Sequence, residues 1–387
     1  MKKTITGKIL TGKAGVVFGA ALAFLCLMTA CSVNDTPDVT SLEYGGLVKE
    51  REYIPQLAAG FKIKYYAGGY EEVCVSDGRD YLVIPEGSAT PDGIPDNVTV
   101  IDHIPDHIYV ASSAAMCRFD ATDTIDRVAF SGVKAEDWKI EAAKAAMDNG
   151  QMIYAGKYSA PDYEMLLSGK CDLAVENLMI LHKPEIAEQL ESLGIPVFID
   201  RSSEENEPLG KTEWIVAYGV LTGEEDKALA LFEEQKALAD AFSDFPATDK
   251  TIAYFYVNSQ GQIVCPKTEE SIPKMISYAG GKYACEGLSD EETGLISTVK
   301  IDMETFLKMA RDADYLVYDA NIEPIDSVND LLEKNSLFEE FKAVKEGSVY
   351  IIGNSMYQNS DKAGTIINDL HSMITGQEDM VYLRKAR

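Results

Sequence analysis

The chain has 387 residues and a formal net charge of −28, from 63 acidic and 35 basic side chains. A body this acidic repels phosphate backbones, which argues against nucleic acid as a partner. Its length, with 46% apolar residues, supports two domains rather than one.

The first 30 residues form a leader. Lys2, Lys3, Lys8 and Lys13 precede an apolar run over 14–28, which ends at Met28-Thr29-Ala30-Cys31. A charged start, a short apolar core and a small-residue cleavage site describe a secretory signal, too short for a membrane span. The last four residues resemble a bacterial lipobox, with Met28 where Leu is usual. In that motif Cys31 is acylated and becomes the new N-terminus. The expectation is a signal peptide over 1–30 and a mature protein lipid-anchored at the extracytoplasmic face of the cell membrane. Gly7-Lys8-Ile9-Leu10-Thr11-Gly12-Lys13-Ala14 nearly spells a phosphate loop, but it lacks the magnesium-binding hydroxyl and lies in the cleaved segment. Residues 31–58, polar around Asn34-Asp35-Thr36-Pro37, read as a flexible tether.

An N-terminal lobe is expected over 59–221. It opens with alternation in Phe61-Lys62-Ile63-Lys64-Tyr65. A β-hairpin follows, in which Val73-Cys74-Val75 and Tyr81-Leu82-Val83-Ile84 flank Ser76-Asp77-Gly78-Arg79. Strand patterns over 107–110, 127–130, 152–155, 173–175 and 196–199 then alternate with helical patterns over 138–149, 161–167 and 184–193. This is the signature of a parallel sheet with crossover helices. Glu207-Pro208-Leu209-Gly210-Lys211-Thr212-Glu213-Trp214 leads into a helix over 214–221. It reads either as a packed approach to the lobe-bridging region or as a lip of a cleft.

Thr222-Gly223-Glu224-Glu225 reads as a capping box opening one helix over 222–246, with Leu229, Phe232, Ala239 and Phe242 at helical spacing and Pro246 at its end. A C-terminal lobe over 247–387 repeats the alternation. Its strands are 251–257, 315–318 and 349–352; its helices are 271–279, 303–310, 337–344 and 363–374. The fold class is α/β: two Rossmann-like lobes joined by a single long helix.

Five cysteines lie beyond the lipid site: Cys74, Cys117, Cys171, Cys265 and Cys285. They form no CxxC pair, which leaves one optional bridge and otherwise buried apolar residues. His103, His107, His182 and His371 do not fall on strand-end loops, so no bare-metal site is expected. There is no GxSxG, HExxH or GxGxxG, and no catalytic residue is assigned.

In order and spacing, these segments resemble the substrate-binding lipoproteins of ABC importers for iron–siderophore, haem and cobalamin, from about Asp77 to the C-terminus. The carriers are Asp77-Gly78-Arg79, Ile108-Tyr109-Val110-Ala111-Ser112-Ser113-Ala114 before Asp126-Arg127-Val128, and Asp162-Tyr163-Glu164-Met165-Leu166 before Cys171-Asp172-Leu173-Ala174-Val175. Further carriers are Leu190-Glu191-Ser192-Leu193-Gly194-Ile195-Pro196-Val197, the 271–281 segment, and Asp302-Met303-Glu304 before Asp314-Tyr315-Leu316-Val317.

The resemblance implies a monomeric binding protein, not an enzyme. It would have no cofactor, an iron chelate, haem or cobalamin as ligand, and an ABC permease with its ATPase as partners. It also implies docking carboxylates on each lobe, here Glu185 and Glu304. A ligand lies between the lobes, at the carboxyl ends of the strands. The candidates there are Arg118, Lys157 and Lys267 for anionic chelates, Trp138, Tyr158, Tyr256, Tyr318 and Tyr357 for flat ligands, and Asn177. The rival readings are a membrane-tethered enzyme and a non-transport sensor or interaction lipoprotein.

Overall fold

The computed structural model describes residues 43–242, 245–289, 297–353 and 358–387. The leader, Cys31 and Tyr357 lie outside them.

Five strands come first: β1 (Lys49–Tyr53), β2 (Phe61–Tyr66), β3 (Tyr70–Val75), β4 (Asp80–Val83) and β5 (Val98–Ile101), paired in chain order. The expected turn joins β3 to β4, and Gly78 takes a φ of +88° there that other residues resist. The hairpin is thus part of a five-stranded sheet. The tether does not reach residue 58, because β1 pairs antiparallel with β2 and Leu47 is buried. The sequence Lys-Glu-Arg-Glu-Tyr of β1 hides this: an edge strand buries little and carries charge.

The next elements are β6 (Ile108–Val110), α1 (Met116–Ala121), β7 (Val128–Ser131), α2 (Glu141–Asp148), β8 (Ile153–Tyr154), a small ladder of β9 (Gly156–Lys157) and β10 (Ala160–Pro161), α3 (Tyr163–Ser168), β11 (Leu173–Asn177), α4 (Pro184–Ser192) and β12 (Val197–Asp200). They build a parallel sheet in the order β12-β11-β6-β7-β8. Ile108, Val110 and Phe198 pack on one face, and Tyr109, Ala174 and Ile199 on the other. Burial on both faces explains why these strands read as apolar runs.

Helices α5 (Pro208–Glu213), α6 (Ile215–Thr222) and α7 (Glu225–Asp240) follow. The expected capping box is not formed. Thr222 ends α6, and its hydroxyl donates to the Tyr218 carbonyl (2.8 Å). Gly223 then turns left-handed (φ +72°), and α7 starts at Glu225 and runs for 16 residues. The fully buried α6 holds Thr222 inward, so Gly223 acts as a helix stop rather than the first residue of a helix.

The C-terminal lobe comprises β13 (Thr251–Val257), β14 (Ile263–Pro266), α8 (Ser271–Tyr278), β15 (Lys282–Tyr283), β16 (Thr298–Ile301), α9 (Met303–Ala310), β17 (Tyr315–Asp319), α10 (Val328–Lys334), α11 (Lys342–Lys345), β18 (Val349–Ile352), α12 (Ala363–Thr375) and β19 (Leu383–Lys385). Its sheet runs β16-β14-β13-β17-β18-β19, with β15 beside β13. The helix expected over 337–344 is broken: a 3-10 turn, Ser336–Glu340, precedes α11, with extended Phe341 between them.

Helix α7 touches both cores. Ala228 and Phe232 pack in the N-terminal core and Ala239 in the C-terminal one. Its neighbours approach at glycines. A Cβ on Gly219 of α6 would lie 2.8 Å from that of Ala228, and a Cβ on Gly364 of α12 would lie 1.9 Å from the Gln235 carbonyl oxygen. Gln235 also accepts the Thr365 amide (3.0 Å).

Candidate cleft between the two sheets

A cavity of about 540 Å³ lies between the lobes. Ala114, Leu178, Ser202, Ser203 and Glu204 reach it from segments that follow β6, β11 and β12. Tyr254 and Tyr256 of β13, Asp319 at the end of β17, and Asn359 and Ser360 beyond β18 reach it from the other lobe. Both sheets therefore present their strand carboxyl ends to one space, where open α/β sheets bind ligands.

A buried network shapes the N-terminal wall. Arg118, fully buried on α1, pairs with Asp200 (3.1 Å) and donates to the carbonyls of Ala114 and Lys211, each at 3.1 Å. Asp200 also accepts the Tyr218 hydroxyl (2.9 Å) and the Ser202 amide (2.8 Å). One guanidinium thus ties three wall segments together from beneath. In the other lobe Asp319 accepts the Tyr254 hydroxyl (2.9 Å) and the Asn321 amide (3.0 Å), and burial raises its carboxyl above the usual range.

Helix α5 serves both roles expected of its segment. Pro208 and Lys211 line the cavity. Behind them Glu213 accepts the amides of Gln56 (2.6 Å), Leu57 (2.7 Å) and Ala58 (2.8 Å), and Trp214 donates its indole N–H to Glu205 (2.9 Å). Lys211 Nζ lies 3.4 Å from Ser271 Oγ on α8, and burial lowers its pKa. Among the described lining residues Lys211 is the one cation, against Glu204, Glu270 and Asp319.

Of the expected ligand contacts, Tyr256 lines the cavity; burial and the Asp319 charge raise its phenol. Arg118 does not, for the reason just given. Trp138 is buried, with its indole donating to Ser131 Oγ (3.2 Å). Its neighbours meet the other lobe: Gln358 accepts the Lys139 amide (2.8 Å) and donates to the Asp137 carbonyl (3.2 Å). Tyr318 is buried within its lobe and donates to the Glu323 carbonyl (2.9 Å). Lys157 is exposed on β9, and Tyr158 packs beside the second N-terminal core cluster. Asn177 caps the 3-10 turn after β11 through the Met179 amide (2.8 Å). Lys267 follows Pro266, a lining residue, without lining the cavity itself. Glu185 and Glu304 are both exposed, in the first turns of α4 and α9.

Sequence reasoning missed Ser202, Ser203, Glu204 and Asp319, while Lys211 was reached only through its segment, read as a possible lip of the cleft. The available signal was position: Asp319 ends a strand and the other three form the turn just after β12, and residue type alone gave no cue.

Several known proteins resemble this chain. A family model described as periplasmic binding protein matches residues 125–356, more than half of the chain. An uncharacterised lipoprotein of Methanocaldococcus jannaschii is 26% identical over 304 residues, covering 75% of this chain and 70% of the relative. A periplasmic binding protein from Veillonella parvula superposes with a TM-score of 0.55 at 20% identity, over 71% of this chain and 92% of that one. The periplasmic haem-binding protein HutB of Vibrio cholerae gives 0.53 at 16%, over 67% and 97%. No helix among the described residues is long and apolar enough to cross a membrane. With two α/β lobes, a cleft at their strand ends and this match, the chain belongs to the periplasmic binding protein family, the family of the iron–siderophore, haem and cobalamin binding proteins of ABC importers.

Proposed function

We propose that this protein is the substrate-binding lipoprotein of an ABC importer. It is anchored through Cys31, captures a metal complex in the cleft, and delivers it to the permease. The observation that carries this reading is the cavity lined from both sheets at their strand ends. Its lone described cation, facing three carboxylates, favours a neutral or cationic guest such as a corrinoid over a polyanionic ferric chelate. Tyr256 and Lys211 are the contacts of choice: one offers an aromatic face, the other a half-buried ammonium. Glu185 and Glu304 are the docking carboxylates, set at helix starts where negative charge is favoured.

Titration of the purified protein with aquocobalamin, haem and ferric siderophores, followed by native mass spectrometry, tests the assignment. We expect one guest to bind saturably without turnover. Conversion of the guest, or failure of all three classes to bind, would sink it. Trp138 fluorescence reports closure, because its neighbours form an interlobe contact. Glu304→Ala and Glu185→Ala should keep binding and lose transport; normal transport by both would remove the docking assignment.

A further inference from the structure

The N-terminal sheet precedes the segment that matches the family, and its outer side holds a cluster the cleft does not use. Glu72 and Cys74 lie on one face of β3, two residues apart. Asp80 on β4 stands directly opposite Cys74. One carboxylate oxygen of Glu72, one of Asp80 and the Cys74 sulfur all lie within 4.8 Å of one another. Glu72 is fully buried. Its Oε2 accepts the Tyr66 hydroxyl and sits 3.5 Å from Lys64 Nζ, while Oε1 has no hydrogen-bond partner. The Tyr44 hydroxyl is buried beside it.

Lys64 is shared between Glu72 (3.5 Å) and Glu43 (3.1 Å). A buried carboxylate oxygen without a partner, on a group that lies beside a thiol and a second carboxylate, is costly unless something fills the gap.

We propose that Glu72, Cys74 and Asp80 bind a divalent cation of the zinc class that clamps β3 to β4. One sulfur and two carboxylate oxygens suit a borderline-soft ion better than calcium or magnesium, which take oxygen alone. The Tyr44 hydroxyl or a water completes a four-coordinate shell. On binding, the cation takes the place of the Cys74 thiol proton, which leaves to solvent; no electron is transferred. Lys64 keeps Glu43 as its partner when the cation takes Glu72. Asp80 is only partly buried and gives the route in. This inference does not depend on the importer reading, since none of these residues lines the cleft.

The test uses the full chain, reduced, stripped with a chelator and titrated with Co²⁺ alone. We expect one equivalent to bind with a near-ultraviolet thiolate-to-cobalt charge-transfer band that Zn²⁺ abolishes. Cys74→Ala should lose the band, and Asp80→Asn should weaken binding by at least about tenfold. No binding, or binding without the band, overturns the proposal. So does binding that survives Cys74→Ala, as the exposed group of His103, Asp106 and Asp172 would give. Should Cys74→Ala fail to fold by circular dichroism, Asp80→Asn at the partly open edge decides in the same way.

Discussion

The two lobes share an architecture and differ in what holds them. The C-terminal lobe rests on an aromatic cluster. Phe255 lies 4.6 Å from Phe306 and 5.5 Å from Phe338, and Phe341 lies 5.4 Å from both Phe306 and Phe338. Both lobes bury carboxylates that collect backbone amides, Glu213 in the N-terminal lobe and Asp369 in the C-terminal one, but the N-terminal lobe adds a fully buried cation, Arg118, paired with Asp200. Apolar packing is undirected and forgiving in its details, whereas buried charge fixes particular loops but is costly when one partner is lost. The N-terminal cleft wall is therefore tied together by a buried ion pair.

Matched truncations in the two lobes test this most strongly. Arg118→Ala and Phe306→Ala should each cost roughly 3–5 kcal/mol in urea unfolding, by different means. Adding Asp200→Asn should recover part of the first loss, because it removes the stranded charge, and none of the second. Equal rescue of both would erase the contrast. At the joint between lobes, Gly364→Ala should cost about 1–3 kcal/mol, more than Gly219→Ala, since the added methyl would lie 1.9 Å from a backbone oxygen, against 2.8 Å from its nearest atoms at Gly219. A melt in which Gly364→Ala matches the parent would mean that α12 and α7 can separate freely.

A pH dependence centres on Glu176 in the N-terminal lobe. Burial pushes its carboxyl up to about 8, with Tyr109 and Tyr163 as its titratable neighbours. The folded state holds this proton more tightly than the unfolded chain. Its stabilising contribution is therefore complete below about pH 4.5 and is lost as pH rises to about 8, at about 1.4 kcal/mol per pH unit. Glu176→Gln should flatten that slope between pH 5 and 8. An unchanged slope would place the titration elsewhere.

Much of the scaffold was legible because burial on both sheet faces writes itself as apolar runs. The strands β6, β7, β11, β12, β13, β17 and β18 all fall on such runs. Less legible was β1, whose charged residues pair only through the backbone. The capping box at Thr222 misled because a local motif competes with the burial of α6, and burial prevailed. Arg118 misled for a related reason: a cation on a strand-end helix suits a ligand equally well until Asp200, 82 residues away, is found beside it.

The amino-acid order alone determined that twin α/β units alternate along the chain and where most of their elements lie, because periodicity and turn chemistry act among near neighbours. Tertiary structure decided which charges lie inside, where helix α7 begins, and which residues face the cleft. Those outcomes rest on desolvation and on partners distant in sequence, which no local pattern encodes.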